Sequence, residues 1–162
     1  MAQPYEPSSD FLKAVLGEIA PLEGNCLAEA NFTRLIAMTH HPDPVNRDWA
    51  TFLLSRHNKD TPEVRAALLA AARDAQDDVR AEAILGLARR DRQIALPLLR
   101  RELARDRACV PVFEAAALVA DPSLIEQLKE YAEPSGNRVL DNAARLALYA
   151  CERGRAIALV AE

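Results

Sequence analysis

Residues 77–90, DDVRAEAILGLARR, return 33 positions earlier in looser form as PVNRDWATFLLSR. This recurrence constrains the fold more than any other feature, because self-similarity at a period of about 20 to 50 residues marks stacked supersecondary units. At the shift of 33, Arg47, Ala50 and Leu54 fall on Arg80, Ala83 and Leu87. Val64 and Leu68 of the following TPEVRAALLAAARD precede Ile94 and Leu98 by 30. A further shift of 30 reaches ACVPVFEAAALVADPSLIEQLKEYA, with Leu124 and Leu128 in the second-helix positions, and NRVLDNAARLALYA opens another unit near Asn137.

Each unit reads as a helical hairpin. Val79, Ala83 and Leu87 recur at i, i+4 and i+8 along one stripe, with Asp77 and Asp78 near the positive end of the helix and Arg89 and Arg90 near its negative end. Asp91 and Arg92 make a short polar joint, after which Ile94, Leu98 and Leu99 supply a second apolar face. Isolated helices of this length are marginal in water, so the faces of successive units must cover one another. Half of the residues are hydrophobic, only 5% are aromatic, and alanine and leucine dominate, which predicts an all-α chain.

The ends of the array fit the same plan less closely. SSDFLKAVLGEIA, capped at Ser8 or Ser9, and NCLAEANFTRLIAMTH, capped at Asn25, are expected as end helices over about 8–40. Clear repeats follow over about 43–133 and a C-terminal repeat over about 137–162, so residues 1–162 are expected to form one domain of about five helical pairs. Pro44, Pro62 and Pro122 follow the capping residues Asp43, Thr61 and Asp121, at first helical positions where a missing N–H does no harm. Pro97 and Pro111 fall inside expected helices and should kink them or displace their boundaries. Gly86, in mid-helix, is expected to permit close approach of a neighbouring helix.

Paired helices of about thirty residues, carrying an acid, then Val-Arg, then an alanine three residues after the arginine, resemble HEAT repeats. The short HEAT-like repeats of phycobilisome lyases are especially similar. The resemblance covers roughly residues 25–152. It is clearest in DDVRAEAILGLARR and TPEVRAALLAAARD and weaker after residue 105, where Val110 and Leu140 replace the arginine. It implies a right-handed α-solenoid whose second helices line the concave side. It also implies that Arg47 and Arg80 are structural, each bonding an acidic residue of an adjoining repeat.

Catalytic motifs are absent: the sequence has no GxSxG, HExxH or CxxC and no glycine-rich phosphate loop. His40, His41 and His57, with Asp43 and Asp48 nearby, lack the spacing that places two ligands on one helix face and read as a polar loop. The chain is therefore expected to be no enzyme, with no cofactor and no metal. Cys26, Cys109 and Cys151 are too dispersed for a ligand set and read as buried thiols. The N-terminus has neither the basic region nor the apolar stretch of a signal peptide, and no apolar run reaches the roughly 18 residues of a membrane span. The expected location is cytoplasmic.

The net charge of −4 gives solubility and argues against nucleic acid as a partner. Within 89–107, seven arginines stand against three acids, a local balance of +4 that leaves −8 on the remainder. Arg90, Arg92, Arg100 and Arg101 from this cluster, together with Trp49, are the candidate partner contacts. Trp49 reads equally as an interaction anchor or as core.

An array without catalytic motifs points to a module that binds another protein. VNRDWATFLLSR and DDVRAEAILGLARR also resemble compact bacterial HEAT-repeat immunity proteins encoded beside secreted toxins. That implies an inhibitor of a toxin domain, for example a basic nuclease, acting as a monomer or weak homodimer. An adaptor or regulatory scaffold in a cytoplasmic assembly is the alternative. HEAT-like enzymes, the alkylpurine DNA glycosylases and the bilin lyases, form a third class, and the acidic total and single tryptophan argue against the glycosylase.

Overall fold

The structure is a computed structural model that describes residues 5–157. Among them the chain forms nine α-helices: α1 Asp10–Leu16, α2 Cys26–Met38, α3 Pro44–Arg56, α4 Pro62–Ala71, α5 Asp77–Arg90, α6 Arg92–Leu103, α7 Val110–Val119, α8 Ile125–Tyr131 and α9 Arg138–Arg153. A 3₁₀ turn, Pro122–Leu124, leads into α8. The fold is an α-solenoid of helical pairs. Four pairs are followed by α9, and residues 158–162 of the C-terminal repeat lie outside the described residues.

Local chemistry sets the helix starts. Ser9 caps α1, and Asn25 accepts from the Ala28 N–H at 3.0 Å. Asp43 accepts from Val45 N–H at 3.0 Å, Thr61 from Val64 N–H at 3.4 Å, and Asp91 from Gln93 N–H at 3.0 Å. Pro44 and Pro62 open α3 and α4, and Pro122 opens the 3₁₀ turn. Pro111 displaces a boundary, since α7 begins at Val110 and the proline falls in its first turn. Pro97 lies inside α6, which continues through it. Pro97 and Gln93 are both exposed, which leaves solvent to satisfy the Gln93 carbonyl.

The first helices α3, α5, α7 and α9 pack side by side through the most extensive interfaces of the molecule, whereas the second helices α4, α6 and α8 touch one another little. A cavity lined by α3, α5 and α7 together crosses the row of first helices.

The central helix also departs from its expected single stripe. Residues Val79 to Ala88 of α5 are all buried, because α3 and α7 flank the helix while α4 and α6 back it. Its small residues, Ala81, Ala83, Gly86 and Ala88, permit this crowding. In α6 the fully buried stripe is Ala95, Leu99 and Leu103, one position round from the expected face, with Ile94 and Leu98 half-buried.

Gly86 marks the tightest approach. A Cβ there would lie 2.9 Å from Ser55 Cβ, 3.0 Å from Ser55 Cα and 3.1 Å from Leu68 Cδ1. Alanine gains about 1 kcal/mol of helix propensity at an open site. Here the collision involves the backbone of α3, which cannot swing aside. Gly86→Ala is expected to destabilise the fold by about 1–2 kcal/mol net, read as a lowered denaturation midpoint with an unchanged slope.

Candidate binding cleft

The α3 positions Asp48, Trp49 and Phe52 share one helical face with Arg56, and the first three line a cavity between the first helices. Across from it, α5 contributes Asp78 and Glu82, one turn apart, and α7 contributes Pro111. Tyr5 closes one side: its hydroxyl donates to Asp48 Oδ2 at 2.7 Å, and its ring centroid lies 6.3 Å from that of Trp49. These residues line a cavity of about 240 Å³. Trp49 meets Phe52 edge-on with centroids 5.5 Å apart, and its buried Nε1 has no hydrogen-bond acceptor among the described residues.

The cleft is electrostatically unbalanced. Desolvation raises the Asp48 pKa above the ordinary carboxylate value, and repulsion from Asp78 and Glu82 adds to it, against the opposing hydrogen bond from Tyr5. Burial raises Glu82 as well, although Arg56 at 2.9 Å and Ser55 at 3.1 Å both favour its charged form. Among the described residues, neither Asp48 nor Asp78 has a cationic partner within ion-pair distance. Because the folded pKa of Asp48 is raised, its charge opposes folding at pH values above that pKa and ceases to do so as pH falls through it. Asp48→Asn, which keeps an acceptor for Tyr5, is expected to raise the thermal midpoint, by under about 1 kcal/mol because solvent screens the open side.

The repeat arginines lie elsewhere. Arg47 Nε donates to Asp74 Oδ2 at 2.7 Å and Nη2 to Oδ1 at 3.0 Å, while Nη1 reaches the carbonyls of His41 and Pro42. Arg80, with 4% of its side chain exposed, pairs with Glu102 at 2.9 Å and Asp77 at 2.6 Å and donates to the carbonyls of Asp74 and Ala75. Arg47 thereby ties α3 to the loop that precedes α5, whereas the acids bound by Arg80 belong to its own hairpin rather than to an adjoining repeat as the resemblance implied.

The arginine cluster does not form one surface. Arg90 is a correction to its candidacy as a partner contact: its side chain is 6% exposed and donates to the carbonyls of Leu54, Ser55, His57, Lys59 and Gly86. The C-terminal carbonyls of α3 draw it inward. Arg92, Arg100 and Arg101 are exposed on α6, in the second row, and Arg100 donates to Ser123 Oγ at 2.6 Å. Trp49 and these three residues therefore belong to different helix rows. Trp49 itself is half-buried, which combines the two roles its sequence position left open.

The histidines serve local structure. His41 Nδ1 accepts from Asp43 N–H at 3.0 Å, and His57 Nδ1 accepts from Lys59 N–H at 3.1 Å. Burial lowers the His57 pKa, which favours the neutral ring. Cys26 is exposed in the first turn of α2, contrary to the buried reading, while Cys109 is half-buried and Cys151 buried. Burial pushes the Cys109 thiol up to about 12 and the Cys151 thiol to about 11.

Sequence reasoning did not assemble Tyr5, Asp48, Phe52, Asp78 and Glu82 with Trp49. The available signal was the shift of 33, which places Trp49 and Glu82 at one repeat position and hence on neighbouring first helices.

Comparison with known proteins agrees with this architecture. Protein YibA of Escherichia coli strain K12 is 29% identical over 100 residues, which is 62% of this chain and 36% of that protein. Protein YibA of strain O157:H7 gives the same figures. The X-ray structure of Escherichia coli YibA superposes with a TM-score of 0.58, covering 86% of this chain and 54% of that one at 21% identity, a likeness of fold alone. The chain thus spans only 36% of the length of the curated relatives it matches. The profile of the HEAT repeats matches residues 32–120, more than half of the sequence, and the chain belongs to the HEAT-repeat family.

Proposed function

We propose that this chain is a non-catalytic protein-binding module whose row of first helices receives a basic segment of another protein. The observation that carries the reading is the cleft itself, where the carboxylates of Asp48 and Asp78 line a cavity with Trp49 and Tyr5 and, among the described residues, have no ion-pair partner. Half-buried aromatic residues beside charges are the anchors that dominate protein interfaces. A bent array offers a continuous surface around them.

More narrowly, the module acts as an immunity protein in the cytoplasm, binding and neutralising a toxin domain with a basic surface. Opposite charge would speed encounter as well as hold the complex. No helix among the described residues is long and apolar enough to cross a membrane. The test is co-expression with the protein encoded beside this one. Survival of cells that the neighbour otherwise kills, together with a purified one-to-one complex, supports the immunity role. Unabated killing sinks that role. A stoichiometric companion of another kind, captured through the tagged chain and lost in Trp49→Ala, would leave the broader module standing.

A further inference from the structure

We propose that the half of the cleft bounded by Trp49, Tyr5, Asp48 and Asp78 is a receptor for a single arginine side chain of the partner, an assignment that rests on the protein-binding reading above. Size limits the occupant first. The cavity of about 240 Å³ lies below the roughly 300–1,000 Å³ of cofactor and small-ligand pockets, yet it has room for one long side chain.

Chemistry limits it next. Asp48 on α3 and Asp78 on α5 approach from two helices, and among the described residues neither has an ion-pair partner. Glu82 adds a third carboxylate to the lining.

The molecule also contains an internal precedent. Arg56 lies over Phe52, with its guanidinium carbon 3.8 Å from the ring centroid, and pairs with Glu82 at 2.9 Å. Phe52 and Glu82 line the same cavity as Trp49, Tyr5, Asp48 and Asp78. One side of the cleft thus already stacks a guanidinium on an aromatic ring beside a carboxylate, and the other side repeats the ring and the carboxylates with no cation paired to them among the described residues. A planar guanidinium can stack on an indole while donating in its own plane to carboxylates on two helices, which a compact ammonium cannot do. Arginine is accordingly the preferred occupant over lysine.

Trp49 is the sole tryptophan, so its fluorescence reports on this cleft alone. The full chain is titrated with blocked arginine amide and, in parallel, with the blocked lysine amide and the uncharged citrulline amide. The expected result is a saturable change with arginine, about fivefold weaker binding of lysine and no saturable response to citrulline. Asp48→Asn and Asp78→Asn are expected to lose the arginine response, while Arg100→Gln on the second row keeps it. Thermal unfolding of each variant shows whether the fold is retained, and Asp48→Asn should unfold no earlier than the parent. An arginine response no stronger than that of citrulline or lysine, or unchanged in folded Asp48→Asn and Asp78→Asn, overturns the assignment. Such a failure alongside continued capture of a protein partner would remove the arginine receptor and leave the binding module. Loss of both would remove the module as well.

Discussion

Replacing Arg80 by methionine is expected to cost about 3–5 kcal/mol of folding stability, the largest effect of any single charge removal in this molecule. At about 2–4 °C per kcal/mol for a chain of this size, the thermal midpoint should fall by roughly 6–20 °C. The reason is Glu102, whose side chain is 6% exposed and whose carboxylate accepts from Arg80 Nε and Nη2 at 2.9 to 3.2 Å. Arg105, the other cation on it, is half-exposed and lies 3.1 Å away. Without Arg80 the carboxylate remains buried with a single, screened partner, and the Asp74 and Ala75 carbonyls lose their donor as well. Arg80→Lys should fall between the two, because an ammonium keeps the charge but cannot reach two carboxylates and two carbonyls together. The double variant Arg80→Met, Glu102→Gln should recover a substantial part of the loss, since the penalty arises from the stranded charge more than from the lost pair. Equal unfolding of the single and double variants would contradict this account.

Arg90→Met is expected to cost about 3 kcal/mol, with a thermal midpoint lower by roughly 6–12 °C. Its guanidinium collects carbonyls that α3 leaves unpaired at its C-terminus, those of Leu54, Ser55 and His57, as well as that of Lys59 beyond the helix and that of Gly86 on its own helix. Of these carbonyls, that of Ser55 has a second donor in Arg89 Nη1 at 3.4 Å, and the others lose the charged donor they share. Thermal unfolding separates this role from a role in recognition. A contact residue would leave stability intact and weaken binding, whereas Arg90→Met should weaken stability first. An unchanged melting curve would return Arg90 to the surface contacts.

These two arginines show where sequence reading stops. Arg80 could be placed from its register alone, because the resemblance assigns a structural role to that position and the period is plain in the sequence. Arg90 looked like one more charge in a dense cluster, since register does not say whether a long side chain turns towards solvent or towards the end of a neighbouring helix. The caps Asn25, Asp43, Thr61 and Asp91 and the opening prolines were legible because their chemistry is local, completed within two or three residues. Full burial of α5 was not legible. Alanine and glycine carry little hydrophobic signal, so Ala81 and Gly86 gave no sign that helices press on that side too. The cleft was hidden because it joins Tyr5, ahead of α1, to α3, α5 and α7, which are distant in sequence.

Packing of α5 against four other helices changes how the array should breathe. A stack coupled only between neighbours frays from its ends, and the first amides to exchange with solvent are those of the terminal helices. Here α5 is pinned by α3, α4, α6 and α7 at once, so its amides belong to the last unit to open, and the halves on either side loosen around it. A partner seated between Trp49 on α3 and Asp78 on α5 would fasten the looser N-terminal half to that fixed centre. Occupancy would then be felt as slower exchange in α1 to α3, well beyond the few side chains it touches.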